Sequence, residues 1–144
     1  MLQESTIWKV AGVFFKEPTH EHYLKEISRK AGLAHTSVKK HLEVLNKQSV
    51  IKETIQRKGS RNFPVYKANI SSVAYIVEKK HYNLHNPSFY GLKHYLALKL
   101  MPKTMVLFGS YSQGRDIENS DIDIFVECKK QKIEVSQYEK ELDR

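Results

Sequence analysis

The chain has one cysteine, Cys128, in 144 residues. An intramolecular disulfide is therefore excluded, and the core has to be held by packing and hydrogen bonds. Cys128 sits at the end of a strand expected to be buried, where core packing is expected rather than reactivity. No run of apolar residues approaches the roughly 20 that a membrane helix needs, so no membrane partner is expected. The opening residues, Met1 to Ser5, lack the basic start and apolar centre of a secretion signal. Cytoplasm is the expected compartment. The sequence shows neither an internal repeat nor a low-complexity tract.

What is present describes a folded protein with uneven charge. Apolar residues make up 40% of the chain and the mean hydropathy is −0.54, which fits one or two small globular domains. The net charge is +8. Residues 1–70 hold 13 Lys/Arg against 6 Asp/Glu, and residues 71–144 hold 11 against 10. The basic excess thus belongs to the N-terminal half and points there for an anionic polymer.

The most informative stretch is GSYSQGRDIENSDID, from Gly109 to Asp123, entered through the apolar run Met105 to Phe108. Gly109 lacks a side chain, so backbone N–H groups can come close to a phosphate. Ser110 adds a hydroxyl donor, and a helix starting here would favour anions. Asp121 and Asp123 are two apart. In a strand they would share a face, about 7 Å apart, with Ile122, Ile124 and Val126 on the buried side. Paired carboxylates suit Mg²⁺, a hard cation that seeks oxygen.

This arrangement resembles the minimal nucleotidyltransferases of the DNA polymerase beta superfamily, over roughly Lys103 to Glu127. Gly114 and Ser120 also fit that family's pattern. The resemblance implies a nucleoside triphosphate, most simply ATP, held by Gly109 and Ser110. It implies two Mg²⁺ ions, with Asp121 and Asp123 as metal ligands and catalytic residues, and transfer of the nucleotidyl group to an acceptor hydroxyl. The family's third carboxylate, on a later strand, has no clear counterpart. Glu134 would serve only if Ile133 to Val135 is a short strand, and Ser136 with Glu139 reads as a capping box. The natural protein is expected to continue past Arg144, and the 144-residue chain to show little or no transfer.

The N-terminal half carries a helical rhythm. Ile7, Val10, Ala11 and Phe14 repeat at helical spacing and stop before Pro18. Thr19 is placed to cap a second helix with Leu24, Ile27 and Ala31 inward, ended by Gly32. A third helix from near Thr36 turns Val38, Leu42 and Leu45 inward. Val50 to Gln56 and Phe63 to Lys67 read as strands joined by a basic, glycine-containing hairpin. The segment EISRKAGLAHTSVKKHLEVLNKQSVI resembles the winged helix-turn-helix domains of bacterial and archaeal transcription regulators. The resemblance implies DNA binding. Thr36, Ser37, Lys39 and Lys40 are the candidates for groove contacts, and Arg57, Lys58 and Arg61 for phosphate contacts. The alternative is a winged helix used for dimerisation or protein docking.

Between the halves, Ser71 or Ser72 can cap a helix beginning at Val73, broken near Asn83 to Pro87. Ser88 can cap the next, which Pro102 stops. His81 and His85 are four apart and could face together as metal ligands, but Asn83 and Pro87 are expected to interrupt the helix and no carboxylate or cysteine lies close in sequence. The expected fold is α+β: a winged helix at 1–70, a helical linker at 71–84, and the N-terminal part of a nucleotidyltransferase domain at 85–144. Two functions compete. One is an enzyme moving AMP from Mg-ATP to a protein or RNA hydroxyl, in the manner of antitoxins that modify a paired toxin. The other is a DNA-binding regulator whose transferase-like domain only senses nucleotide or mediates assembly. A homodimer would suit paired DNA half-sites.

Overall fold

The computed structural model describes residues 5–144. The chain divides into two units, Met1–Glu78 and Lys79–Arg144.

In the first unit, α1 (Thr6–Lys16) buries Val10, Val13, Phe14 and Phe15. The short strand β1 (Glu21–His22) follows, then α2 (Leu24–Ala31) and α3 (His35–Lys47). Thr19 does not cap α2. Glu21 and His22 pair with a later strand, so α2 opens only at Leu24, with Tyr23 in the cap position. Gly32 ends α2 at φ +65, where its N–H donates to the Ser28 carbonyl. A side chain is strained in that left-handed conformation, which explains glycine there. Val38, Leu42 and Leu45 all turn inward from α3, as their spacing predicts.

Strands β2 (Ile51–Lys58) and β3 (Arg61–Ala68) form the hairpin in continuous register, from Ile51 opposite Ala68 to Lys58 opposite Arg61. The loop is shorter than the basic stretch suggested. Only Gly59 and Ser60 lie between the strands, with Gly59 at φ +62. The sheet order is β1-β3-β2. Helix, strand, two helices and a two-stranded wing is the plan of a winged helix-turn-helix.

Helix α4 (Val73–His85) contains the boundary between the units. It runs through Asn83, which the sequence pattern had placed at a break. The break comes at Asn86. Its side chain accepts hydrogen bonds from the Ser88 N–H at 2.9 Å and the Phe89 N–H at 3.4 Å. Asn86, not Ser88, is therefore the cap of α5 (Pro87–Leu100). Pro87 explains the displacement, since its fixed φ and missing N–H suit the first helical position.

The rest of the second unit is β4 (Thr104–Phe108), α6 (Gly109–Gln113), β5 (Asp123–Glu127) and α7 (Ser136–Leu142). β4 and β5 pair antiparallel, from Thr104 opposite Glu127 to Phe108 opposite Asp123. Leu92, Leu96 and Leu100 recur every four residues along α5 and form a buried cluster. Met105, Ile124, Val126, Cys128, Tyr138 and Leu142 pack against it. Each buried leucine contributes about 1.5–3 kcal/mol, which pins one sheet face to α5 and α7. The opposite face carries Val106, Phe108 and Phe125 exposed, with Asp123 at its end.

Candidate functional site

Gly109 is where β4 turns into α6, and two facts require glycine there. Its φ is +75. A Cβ built on it would collide with the Asp123 carboxylate and lie 3.1 Å from Asp123 Cγ. Strand pairing produces this approach, because Phe108 and Asp123 are directly opposite in register. The carboxylate therefore occupies the space that a side chain at 109 would fill. Ser110 is half-buried beside it, and its carbonyl accepts the Arg115 N–H at 3.0 Å.

Asp121 departs from expectation. β5 begins at Asp123, and Asp121 is exposed in the coil before it. The two aspartates do not share a strand face, because Phe108 is the last residue of β4 and leaves Asp121 no partner to extend the ladder. Glu134 does not supply a carboxylate from a strand. Residues 133–135 are coil, and Glu134 accepts hydrogen bonds from the Ser136 N–H at 3.0 Å and from the Ser136 hydroxyl. Those bonds hold its carboxyl below the usual range. Helix α7 accordingly opens on Val135, with Ser136 bound to Glu134 rather than capping through Glu139.

The loop from Gly114 to Ile122 joins the glycine turn to β5, and a buried charge organises it. Asp116 is 1% exposed and Lys79 is fully buried. The Asp116 carboxylate receives Asn83 Nδ2 at 2.7 Å, Arg144 Nη2 at 2.7 Å and Lys79 Nζ at 3.3 Å. Lys79 also donates to the Asp116 carbonyl at 2.6 Å. Arg144 Nη1 reaches the carbonyls of Ile117 and Ser120, the latter at 2.8 Å. Asn83 Nδ2 donates to the Tyr111 carbonyl at 2.9 Å, and the Tyr111 hydroxyl donates to the Asn83 carbonyl at 3.0 Å. Burial pulls the Lys79 ammonium below its ordinary pKa against the opposing pull of Asp116. Burial, with Asp116 adding to it, raises the Tyr111 phenol. The sequence held no local signal for this network, since Lys79 and Asp116 are far apart along the chain.

On the first unit, Thr36, Lys39 and Lys40 are exposed on α3 and Ser37 is half-buried. Arg57, Lys58 and Arg61 are exposed at the end of the wing, within the strands rather than in a loop. Lys58 lies over the Tyr23 ring at 4.7 Å. The Tyr23 hydroxyl donates to Gln56 at 2.9 Å, and Gln56 donates to Glu21 at 2.6 Å. These contacts tie the wing to β1 and the start of α2. Tyr23, Lys25, Arg29 and His35 line an open depression of about 690 Å³. Sequence reasoning did not single out Lys25, Arg29 or His35, although their basic character was visible.

A third cluster was not anticipated. Among the described residues, Glu17, His22 and Glu26 present potential ligand atoms within 4.8 Å of one another, a set able to coordinate one metal ion. Lys30 already sits between the carboxylates, 2.7 Å from Glu26 and in contact with Glu17. His22 is fully buried, with Nδ1 3.3 Å from Glu26 and Nε2 3.7 Å from Glu17. The His-x3-Glu spacing on a helix border was the available signal.

Residues 91–144 match the family model described as "Polymerase beta, Nucleotidyltransferase". Residues 91–144 are thus similar to the nucleotidyltransferase family, and they follow a first unit with the winged helix-turn-helix plan. Among solved structures, a "Possible transcriptional regulator from Methanosarcina mazei Go1" is similar at 16% identity and a TM-score of 0.46, covering 67% of this chain and 78% of that chain. No curated protein matches the sequence. Among the described residues, no helix is long and apolar enough to cross a membrane.

Proposed function

We propose that the C-terminal region, 85–144, is the nucleotide-handling part of a nucleotidyltransferase and that the winged helix, 1–70, binds DNA. The observation that carries the first half is the Asp123 carboxylate seated in the space of the missing Gly109 side chain. That packing brings the phosphate-approaching turn and a metal-type ligand to one point, in a segment that matches the transferase family. Asp123 and the exposed Asp121 offer oxygen donors of the kind Mg²⁺ takes. Gly109 and Ser110 would hold the triphosphate, most simply that of ATP, and Asp121 and Asp123 would hold the metal. Two bound Mg²⁺ ions would supply activation of the attacking hydroxyl and charge neutralisation of the departing pyrophosphate. The acceptor is a hydroxyl on a protein, such as a paired toxin, or on RNA. The compartment is cytoplasmic, and a homodimer would match paired DNA half-sites.

The test is Mg-ATP binding by calorimetry, with labelled-ATP transfer as the second readout. Asp121→Asn and Asp123→Asn are expected to abolish metal-dependent binding. Unchanged Mg-ATP affinity in both variants would remove the transferase assignment. One observation favours a second reading, in which the domain senses nucleotide for a DNA-binding regulator. Among the described residues, Asp121 and Asp123 belong to no group of three potential metal ligands, and Glu134 is hydrogen-bonded to Ser136. Under that reading, Mg-ATP binds without transfer, and Lys39→Ala or Lys40→Ala weakens DNA binding while the aspartate variants retain it.

A further inference from the structure

Asp123 is placed by its pairing opposite Phe108, but Asp121 belongs to residues 114–122, where no strand or helix does the holding. The chain's own hydrogen bonds here are few. The Ser120 N–H donates to the Ile117 carbonyl at 3.0 Å, and the Ile117 N–H donates to the Ser120 hydroxyl at 2.9 Å. Ser120 immediately precedes Asp121. The Gly114 and Arg115 N–H groups donate back to the Tyr111 and Ser110 carbonyls, and side chains from outside the loop hold its middle. Arg144 spans three acceptors along it: the Asp116 carboxylate, the Ile117 carbonyl and the Ser120 carbonyl. From the other side, Asn83 and Lys79 grip Asp116, and Asn83 also grips the Tyr111 carbonyl of α6. α6 begins with Gly109 and Ser110.

We infer that Arg144 is a positioning residue for the metal ligand Asp121, acting through Asp116 and the 117–120 turn, with Asn83 and Lys79 fixing the far side of the same carboxylate. The inference rests on the transferase reading of Asp121 and Asp123. A guanidinium suits this role because its planar fork engages several oxygens at fixed angles, whereas an ammonium is a point charge. Groups that orient metal ligands without touching the metal typically change affinity by about 10–100-fold when removed. Arg144 is 12% exposed in its side chain, and its bonds to Asp116 and to the Ser120 carbonyl are partly buried.

The test uses the 144-residue protein, ¹⁵N-labelled, and Mn²⁺ as the probe. Paramagnetic broadening of the Gly109, Ser110 and Ile122 amides is followed during titration, and amide exchange is read at Ile117 and Ser120. Wild-type protein is expected to bind Mn²⁺, and Asp123→Asn to abolish the broadening. Arg144→Ala should weaken Mn²⁺ binding about tenfold and accelerate exchange at Ile117 and Ser120, with amides of the Leu92, Leu96 and Leu100 cluster unchanged. Arg144→Lys separates positioning from neutralisation of Asp116. If positive charge alone matters, lysine restores wild-type behaviour and the inference falls. If the fork matters, lysine preserves thermal stability but leaves Mn²⁺ affinity near that of the alanine variant. Wild-type affinity in Arg144→Ala would also overturn the inference while leaving the transferase reading in place. A wild-type protein that binds no Mn²⁺ would instead overturn the transferase reading, and the inference with it.

Discussion

Gly109→Ala makes the sharpest demand on the proposed site, because one methyl group meets two obstacles at once. The backbone there has φ +75, a region in which a residue with a Cβ is strained by about 1–2 kcal/mol. The new Cβ would also overlap the Asp123 carboxylate and lie 3.1 Å from its Cγ. Overpacking of this kind costs about 1–3 kcal/mol when neighbours must move. The carboxylate is the far end of a flexible side chain, so rotating it away is the cheaper relief, and the total should fall near 2–3 kcal/mol. That relief removes Asp123 from its position, so the functional loss should exceed what the destabilisation alone predicts. The assay is amide exchange across β4 and β5 for stability, together with Mn²⁺ or Mg-ATP titration for the site. The expected result is a modest loss of protection and at least a tenfold loss of metal affinity. A Gly109→Ala protein with full protection and full metal affinity would refute the packing argument outright.

Other perturbations address separate parts of the molecule. Asp116→Ala strands the buried Lys79 ammonium and leaves Asn83 and Arg144 without their carboxylate, so the second unit should lose about 3–5 kcal/mol, read by amide exchange at Leu92, Leu96 and Leu100. An exchange pattern like wild type would show that the pair contributes nothing. Lys40→Ala and Arg61→Ala should each reduce the salt slope of binding to a mixed-sequence duplex by about 0.9, followed by fluorescence anisotropy; slopes unmoved by both would exclude phosphate contact there. The Lys30 hydrogen bond, opposed by burial, holds the Glu26 carboxyl below its ordinary value. A lowered folded pKa adds stability that is present above the unfolded value and lost as pH falls through the folded one. Acid unfolding of the first unit, as pH falls below the ordinary glutamate range, should therefore be less steep in Glu26→Gln than in wild type. Lys30 behaves in the opposite sense. Burial lowers its pKa, the bonds to Glu17 and Glu26 outweigh that, and its contribution is lost only in alkali, as pH rises through the raised value.

The parts legible in the sequence share a physical cause, which is that their signals are local. Val38, Leu42 and Leu45 recur at helical spacing, so the inward face of α3 could be read directly. Ile124 and Val126 are two apart, so the buried face of β5 could be read, whereas the run Met105 to Phe108 is apolar throughout and left the inward face of β4 open. Misreadings came where two local signals competed. Ser88 and Asn86 are both good caps, and the fit of Pro87 to the first helical position decided for Asn86. Asn83 looked like a helix breaker, but its side chain is spent on Tyr111 and Asp116, so it does not compete with its own backbone. Asp121 looked like a strand residue until the ladder was seen to end at Phe108.

By itself, the sequence determined the helix-turn-helix and wing, the excess of positive charge in the first half, and the spacing of Gly109, Ser110, Asp121 and Asp123. These follow from periodicity, from glycine's freedom at positive φ and from counting charges. Tertiary structure alone decided that Asp123 fills the space of the Gly109 side chain, that Lys79 and Asp116 pair in the interior, and that Arg144 spans the loop from Asp116 to Ser120. Each depends on two segments distant along the chain meeting at hydrogen-bond range. A buried ammonium and an exposed one are the same letter in a sequence, and only the packing around Lys79 distinguishes them.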